Sequence, residues 1–275
     1  MNSPLRTLQS HSAADVSGDV VHSLGPWFHN LHLPDGRQTA PDHPLGDYPA
    51  YKWAALGPQL PLDLQGKTVL DIGCNAGYFA IELARRGAHV TAMDHDPHYL
   101  RQASWATAQF GLGDRLSLRQ GDIYDLTAEG SRYDIVLFLG VLYHLRYPLL
   151  GLDLAASVCR DTLVFQSLAT GGPVGPADGE GDPGYLGRER LREDGWPRMA
   201  FIEHELAGDP TNWWVPNPAA LHAMVRSTGY SVTAMADDIL ICRRGAGAEA
   251  AARRCHDMVA KLGSAAANEE VRHVG

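Results

Sequence analysis

Two acids and a pair of glycines carry the clearest chemical signal in this 275-residue chain. In "VLDIGCNAGYFAIELARRGAHVTAMDHD" (Val69 to Asp96), an apolar run meets the turn Gly73-Cys74-Asn75-Ala76-Gly77. A helical stretch follows, then a second apolar run that ends in Asp94. Glycines bracket a turn where backbone must come close to a ligand. The helix behind it offers amide N–H groups, which suit a pyrophosphate or an amino-acid carboxylate. A carboxylate at the end of a second strand can accept hydrogen bonds from both hydroxyls of a ribose. Asp94 holds that position; its other reading is a helix cap, a role that Asp96 before Pro97 fits better. Asp122, in "QGDIYDL", can accept from an adenine amino group while the Ile123 amide donates to the ring; the alternative is a plain loop acid.

Histidine is the second signal, because it is the natural base near neutral pH. Of thirteen, five fall in segments expected to face a pocket: His29, His32, His43, His144 and His204. His29 and His32, with His43, Asp42, His144 or His204, have the ligand types of a catalytic metal site with an open position. Those segments lie far apart in sequence, and a metal is not favoured. Trp213 and Trp214, flanked by Asn212 and Pro216, either wall a pocket for an aromatic or apolar small molecule or pack the last helix.

The elements that must position these residues alternate strand and helix. Thr68–Ile72, His89–Met93, Arg115–Arg119, "YDIVLFLG" and "TLVFQSLA" read as strands, the fourth apolar enough to be buried on both faces. Ala76–Arg86 has helical spacing with Phe79, Leu83 and Ala84 inward. Pro97 opens a helix running to about Phe110. A helix over Asn217–Thr228 precedes a strand pair, Ser231–Ala234 and Asp238–Arg243. The expected fold is α/β: a Rossmann-like sheet, mostly parallel, with an antiparallel terminal hairpin and an irregular N-terminal cap. The domain division expected is 1–60 for tail and cap, 61–245 for the main domain, and 246–275 for a C-terminal helix and tail. An insertion at 170–200, rich in Gly, Pro and charge, reads either as a lid or as a surface loop.

Acids outnumber bases 32 to 23, a formal charge of −9. That argues against a surface built for phosphate backbones, which relies on clustered Lys and Arg, so a nucleic-acid partner is not expected. The four cysteines are scattered with no CxxC pair, which fits reduced thiols and a cytoplasmic setting. The N-terminal segment lacks the apolar core of a signal peptide, and no apolar run reaches membrane-spanning length. Nothing in the sequence fixes an oligomeric state.

Together these features resemble the class I S-adenosylmethionine-dependent methyltransferases over roughly Gly66 to Arg243. A GxGxxG dinucleotide fingerprint is absent, whereas "LDIGCNAG" matches that superfamily's first motif, and Asp94 and Asp122 match its second and third acids. The resemblance implies S-adenosylmethionine as cofactor. Asp71 and Gly73, in the turn with Asn75 and Gly77, would line its methionine end, Asp94 its ribose, and Asp122 with Ile123 its adenine. Leu139 and Gly140 would lie along it.

Two further stretches, "GVLYHLRYPL" and "TNWWVPNPAAL", with "YKW" ahead of the first strand, look like the methyltransferase domain of the tRNA wobble-uridine carboxymethyltransferases. That similarity implies that Lys52 contacts the cofactor's carboxylate and that Tyr143 and His144 sit beside the transferable group. The departures point elsewhere. That family holds a carboxylated cofactor with a Lys, a Tyr and an Arg; here the Tyr is Tyr143, the Lys position holds His29, and "DDILICRR" puts acids where the Arg is expected. Ordinary S-adenosylmethionine and a small-molecule acceptor are therefore expected. His144 is the expected base, with Tyr143 and His29 beside the reacting groups and His32, His204, Trp213 and Trp214 around the acceptor. A role for His144 in merely positioning the cap stays open. The rival functions are a tRNA wobble-uridine modifier and a non-catalytic cofactor-binding protein.

Overall fold

Two strands with no polar face set the architecture. Along β1 (Thr68–Ile72) and β4 (Tyr133–Leu139), Val69, Leu70, Ile72, Ile135, Val136, Leu137 and Phe138 are all buried. Strands apolar on both sides must be covered on both sides, the situation of a central parallel pair. The two do pair in parallel, Leu70 opposite Val136. The computed structural model, which describes residues 20–128, 130–174 and 184–272, builds a seven-stranded sheet around them in the order β3-β2-β1-β4-β5-β9-β8.

β2 (His89–Asp94), β3 (Leu116–Gln120) and β5 (Cys159–Gln166) extend the parallel part, and β9 (Ile239–Arg244) and β8 (Tyr230–Ala236) close one edge antiparallel. The strand order reverses between β1 and β4. In open α/β sheets a crevice forms at such a reversal, outside the carboxyl ends of the strands.

One apolar cluster lies under α2 (Tyr78–Arg85) and α3 (Pro97–Gln109); the other lies under α4 (Pro148–Ser157) and α5 (Pro218–Ser227). The expected inward face of α2 is buried at Phe79, Leu83 and Ala84. Asp96 caps α3, its carboxylate accepting from the His98 amide at 2.7 Å. Asn217 caps α5 in the same way, accepting from the Ala220 amide at 2.9 Å. A last helix, α6 (Ala248–Arg272), lies against α4.

The cap is irregular, as its composition predicts, but it is firmly tied. Asn30, fully buried, donates to Gln38 and Asp47 at 2.8 Å each and accepts from the Ala40 amide at 3.0 Å. Leu31 and Leu33 enter the α2-side core with Leu56 of α1 (Ala50–Leu56). The Gln102 amide on α3 donates to the carbonyls of Leu24 and Pro26, and Trp27 packs edge-on against Trp105 at 5.7 Å.

One element is missing from the sequence reading. "NWWVP", which has no assigned element in the sequence, contains a strand, β7 (Trp214–Pro216), paired antiparallel with β6 (Met199–Phe201) in a separate two-stranded sheet. Residues 175–183 of the 170–200 insertion lie outside the described residues.

Candidate active site

The turn after β1 is shaped by Asp94. Its Oδ2 accepts from the Asn75 amide at 2.8 Å and its Oδ1 from the Asp96 amide at 3.0 Å. The carboxylate thus fastens the β1 turn to the end of β2. Asn75 sits at φ 51° and its own Oδ1 accepts from the Ala76 amide, which leaves Gly73 and Gly77 to take the remaining left-handed positions. At Gly73 a side chain would be strained: φ is 70°, and a Cβ would lie 2.5 Å from Cγ2 of Val141, in the turn after β4, so one of them would have to shift. The turn and the β4 loop therefore meet at the mouth of the crevice.

A cleft of about 720 Å³ opens there. Gly73, Asn75, Asp94, Asp122, Ile123 and Leu139 line one side of it. Phe28, His29, Tyr48, Tyr51 and Lys52 of the cap line another, with Tyr143 and His144 from the turn after β4. Gly77 is not part of the lining; it starts α2 and lets Ala103 of α3 approach, a Cβ there falling 3.4 Å from that of Ala103. The Asp122 carboxylate accepts from the Tyr124 amide at 3.1 Å, which fixes the short helical turn holding Ile123.

At the floor, Asp71 and His29 face a small hollow of about 30 Å³ shared with Lys52, Tyr48 and Gln166. Burial, then the nearby charge of Asp94, raises the Asp71 carboxyl to about 7 against the pull of the Ala80 amide, and its Oδ2 has no partner. Burial, then His43, lowers the His29 imidazole to about 3, and its Nδ1 also lacks a partner. His29 is therefore neutral at any ordinary pH, a buried ring among Tyr48, Tyr78 and Phe79. The Lys52 ammonium is engaged by Asp238, on the β8–β9 turn, at 2.7 and 2.9 Å, and Asp238 also accepts from Gln166 at 2.8 Å.

His144 stands on the opposite wall. Its Nδ1 is 2.8 Å from Thr211 Oγ1, and that hydroxyl is 2.6 Å from Asp209 Oδ1. Burial lowers the pKa of His144, with Asp209 and Thr211 opposing and His95 assisting. The loop carrying Thr211 is pinned to the same turn, the Trp213 amide donating to the Tyr143 carbonyl at 2.8 Å.

Four expected acceptor contacts lie elsewhere. His32 is half exposed and bonded to Asp47 at 2.8 Å, and His204 is an exposed residue outside the cleft lining. Trp213 packs under the Arg146 guanidinium, 4.7 Å from its centroid, and Trp214 against Phe201, so both act as packing for the β6–β7 pair. The histidines weighed as metal ligands are separated accordingly, and the described residues hold no group of three or more metal-ligating side chains. The flanks of the insertion line a separate hollow of about 350 Å³ with Arg198 and Asn217. Sequence reasoning missed Tyr48, Tyr99, Gln166, Asp238, Asp209 and Thr211. The tryptophans of "TNWW" dominate that stretch in the sequence, while Thr211 and the nearby Asp209 are what meet His144.

The fit to S-adenosylmethionine can be judged on the residues themselves. Each Asp94 oxygen spends one lone pair on a backbone amide and keeps another for a hydroxyl donor. The cleft volume lies within the range of small-molecule and cofactor sites. The glycine turn exposes backbone at the cleft, and Asp71 presents an unpartnered buried oxygen beneath it.

The sheet order and the cleft at its reversal give this chain the fold of the class I S-adenosylmethionine-dependent methyltransferases. More particularly, residues 69–161 match a family model described as a methyltransferase domain. A tRNA U34 carboxymethyltransferase from Marinobacter nauticus is 35% identical over 131 residues, 46% of this chain and 38% of that protein. A ubiquinone biosynthesis O-methyltransferase from Cereibacter sphaeroides is 37% identical over 103 residues, 38% of this chain and 39% of that protein. The chain thus spans less than half the length of either relative. Among solved structures, the N-terminal domain of EvdMO1, determined in the presence of SAH and D-fucose, shares the fold at a TM-score of 0.56 and 21% identity, covering 85% of this chain and 97% of that one.

Proposed function

We propose that this chain transfers a methyl group from S-adenosylmethionine to a small-molecule acceptor held under the N-terminal cap, with His144 as the base. The observation that carries the reading is a single cleft lined both by the β-strand ends with Asp94, Asp122 and the glycine turn and by the cap rings with His144. When bound, the cofactor supplies a sulfonium methyl that is already activated, so the chain's own tasks are alignment, exclusion of water and removal of a proton. Asp94 would accept from the ribose, and Asp122 with the Ile123 amide would hold the adenine. Asp71, Gly73 and Asn75 would face the methionine end, with Lys52 near its carboxylate. Phe28, Tyr48 and Tyr51 would shed water from the acceptor, and Tyr143 would border the methyl.

Four buried free thiols support a reducing, cytoplasmic setting as part of this proposal. No helix among the described residues is long and apolar enough to cross a membrane.

A second reading, methyl or carboxymethyl transfer to tRNA, is favoured by the similarity to the tRNA U34 carboxymethyltransferase of Marinobacter nauticus. The charge of −9 weighs against it. Incubating the protein with methyl-labelled S-adenosylmethionine and, separately, a small-molecule metabolite extract and total tRNA distinguishes the two. Label in the low-mass fraction is expected; label in tRNA alone would sink the proposal. His144→Ala should lower transfer at least tenfold while cofactor affinity stays nearly intact. Undiminished transfer would remove His144 from the role of base.

A further inference from the structure

The contacts of His144 fix more than its place. A carboxylate only accepts hydrogen bonds, so the Thr211 hydroxyl, 2.6 Å from Asp209 Oδ1, directs its single proton to Asp209. The same oxygen then meets His144 Nδ1, at 2.8 Å, with a lone pair. His144 must therefore carry its proton on Nδ1, and Nε2 is left as the acceptor nitrogen of the ring. Asp209 is itself held: its Oδ1 accepts from the Thr211 amide at 2.7 Å as well, and a tight turn with Ala207 and Gly208 at positive φ returns it to Leu206. We infer that Asp209 and Thr211 are positioning residues that hold His144 in the tautomer able to take a proton from a hydroxyl group, which makes the acceptor an alcohol or a phenol. The inference rests on the reading of His144 as base.

The acceptor class follows from what such a base is for. A carboxylic acid ionises near neutral pH unaided, and a neutral amine attacks through its own lone pair. A hydroxyl gains most from a fixed neutral base, since its proton must leave as its oxygen becomes a nucleophile. The acceptor oxygen would form its bond to the methyl carbon as the carbon–sulfonium bond breaks and a neutral thioether leaves, and its proton would pass to Nε2, giving an imidazolium whose charge Asp209 offsets through Thr211, and then to water. Asp209 retains its negative charge throughout: burial acts upward on its carboxyl, but the Thr211 hydrogen bonds and His144 outweigh it and hold it below its usual value. Besides Asp209 and Thr211, the groups that face His144 are His95, whose charge opposes protonation, and the ring of Tyr143 at 4.2 Å.

The tautomer can be read without knowing the acceptor. Long-range ¹H–¹⁵N spectra of the full chain, labelled at histidine ring nitrogens, should show His144 with Nδ1 protonated and Nε2 bare. Thr211→Val should shift the ring toward the Nε2-protonated form, and Thr211→Ser should retain the parent pattern. Asp209→Asn should move the His144 titration midpoint to lower pH, a change that loss of packing alone would not give. In the labelled-extract assay, Thr211→Val and Asp209→Asn should lower transfer at least tenfold, and the products should carry a methyl ether.

Bare Nδ1 in the parent, or a tautomer and midpoint unchanged in both variants, would overturn the inference. Silence in His144→Ala with parental transfer in both positioning variants would overturn it while leaving the base intact. Parental transfer in His144→Ala would instead take down the base, whatever the spectra show.

Discussion

The two sides of the cleft are built in different ways. On the strand-end side, the groups that shape the site are neighbours in the sheet: Asp94 fastens the turn nineteen residues earlier, and the β1–β2 register places them together. On the acceptor side, the contacts join segments with no local reason to meet. Thr211 reaches His144 across 67 residues, and Asp238 reaches Lys52 across 186. A parallel sheet brings strand ends together as a matter of topology, so a cofactor cradle can be written in one short stretch. An acceptor pocket has no such template and must be assembled from whatever loops the fold leaves nearby.

That contrast can be strained first at the floor, where the strand-end side carries a buried acid and the cap a buried base. Between about pH 4 and 6.5, the unfolded chain binds a proton on His29, at its ordinary value of 6.5, that the folded chain lacks, its folded value being about 3. This makes stability rise with pH. Asp71 does the opposite: its folded value of about 7 against 3.8 unfolded means the folded chain holds the extra proton, and stability falls with pH from about 4 to 7. In the parent the two slopes oppose each other. Asp71→Asn removes the falling arm. Relative to the parent, its unfolding free energy should therefore climb by about 1.4 kcal/mol per pH unit across that window, the slope for one proton. Urea titrations at a series of pH values measure it. A pH-independent difference would mean that Asp71 is ionised in the folded chain.

A smaller effect is expected at Asp94. Asp94→Ala would remove the acceptor of two backbone amides together with the proposed ribose contact. S-Adenosylmethionine affinity by calorimetry should fall by about 1.5–3 kcal/mol, the range for hydrogen bonds to charged groups. Asp122→Ala, on a more open carboxylate whose one described amide contact is local, should cost less, about 0.5–1.5 kcal/mol. Equal losses at the two positions would mean that the β1 turn does not depend on Asp94 for its shape.

What was legible in the sequence follows the same division. Apolar runs and capping residues sufficed for β1 to β5, for α2 and α3, and for the terminal hairpin, since each rests on local pattern and on pairing with a neighbour in the sheet. The β6–β7 pair escaped because each strand is three residues long, too short for alternation to register, and the two are joined only through the irregular stretch 202–213. His32 shares a segment with His29, yet three residues further along an irregular chain the ring turns outward to Asp47. No periodicity governs such a segment, so spacing carries no information about facing. Asp209 and Thr211 were passed over for a related reason: a two-residue Asp-x-Thr contact is a common loop arrangement, and only the fold brings His144 to it.

The smallest predicted effect lies at His32. Its bond to Asp47 joins two side chains that are each about half exposed, 53% and 47%. Exposed pairs of this kind contribute about 0–1 kcal/mol. Asp47 keeps its contact with Asn30 when the imidazole is gone, so the hub that orders the cap survives. His32→Ala should therefore change the urea midpoint little and leave label transfer within about twofold, the ordinary result for a surface substitution. A loss of transfer comparable to that of His144→Ala, with stability unchanged, would place His32 against the acceptor. The cap would then have to turn that face toward the cleft when the acceptor binds, and the acceptor side would extend well beyond the residues that line it in this structure.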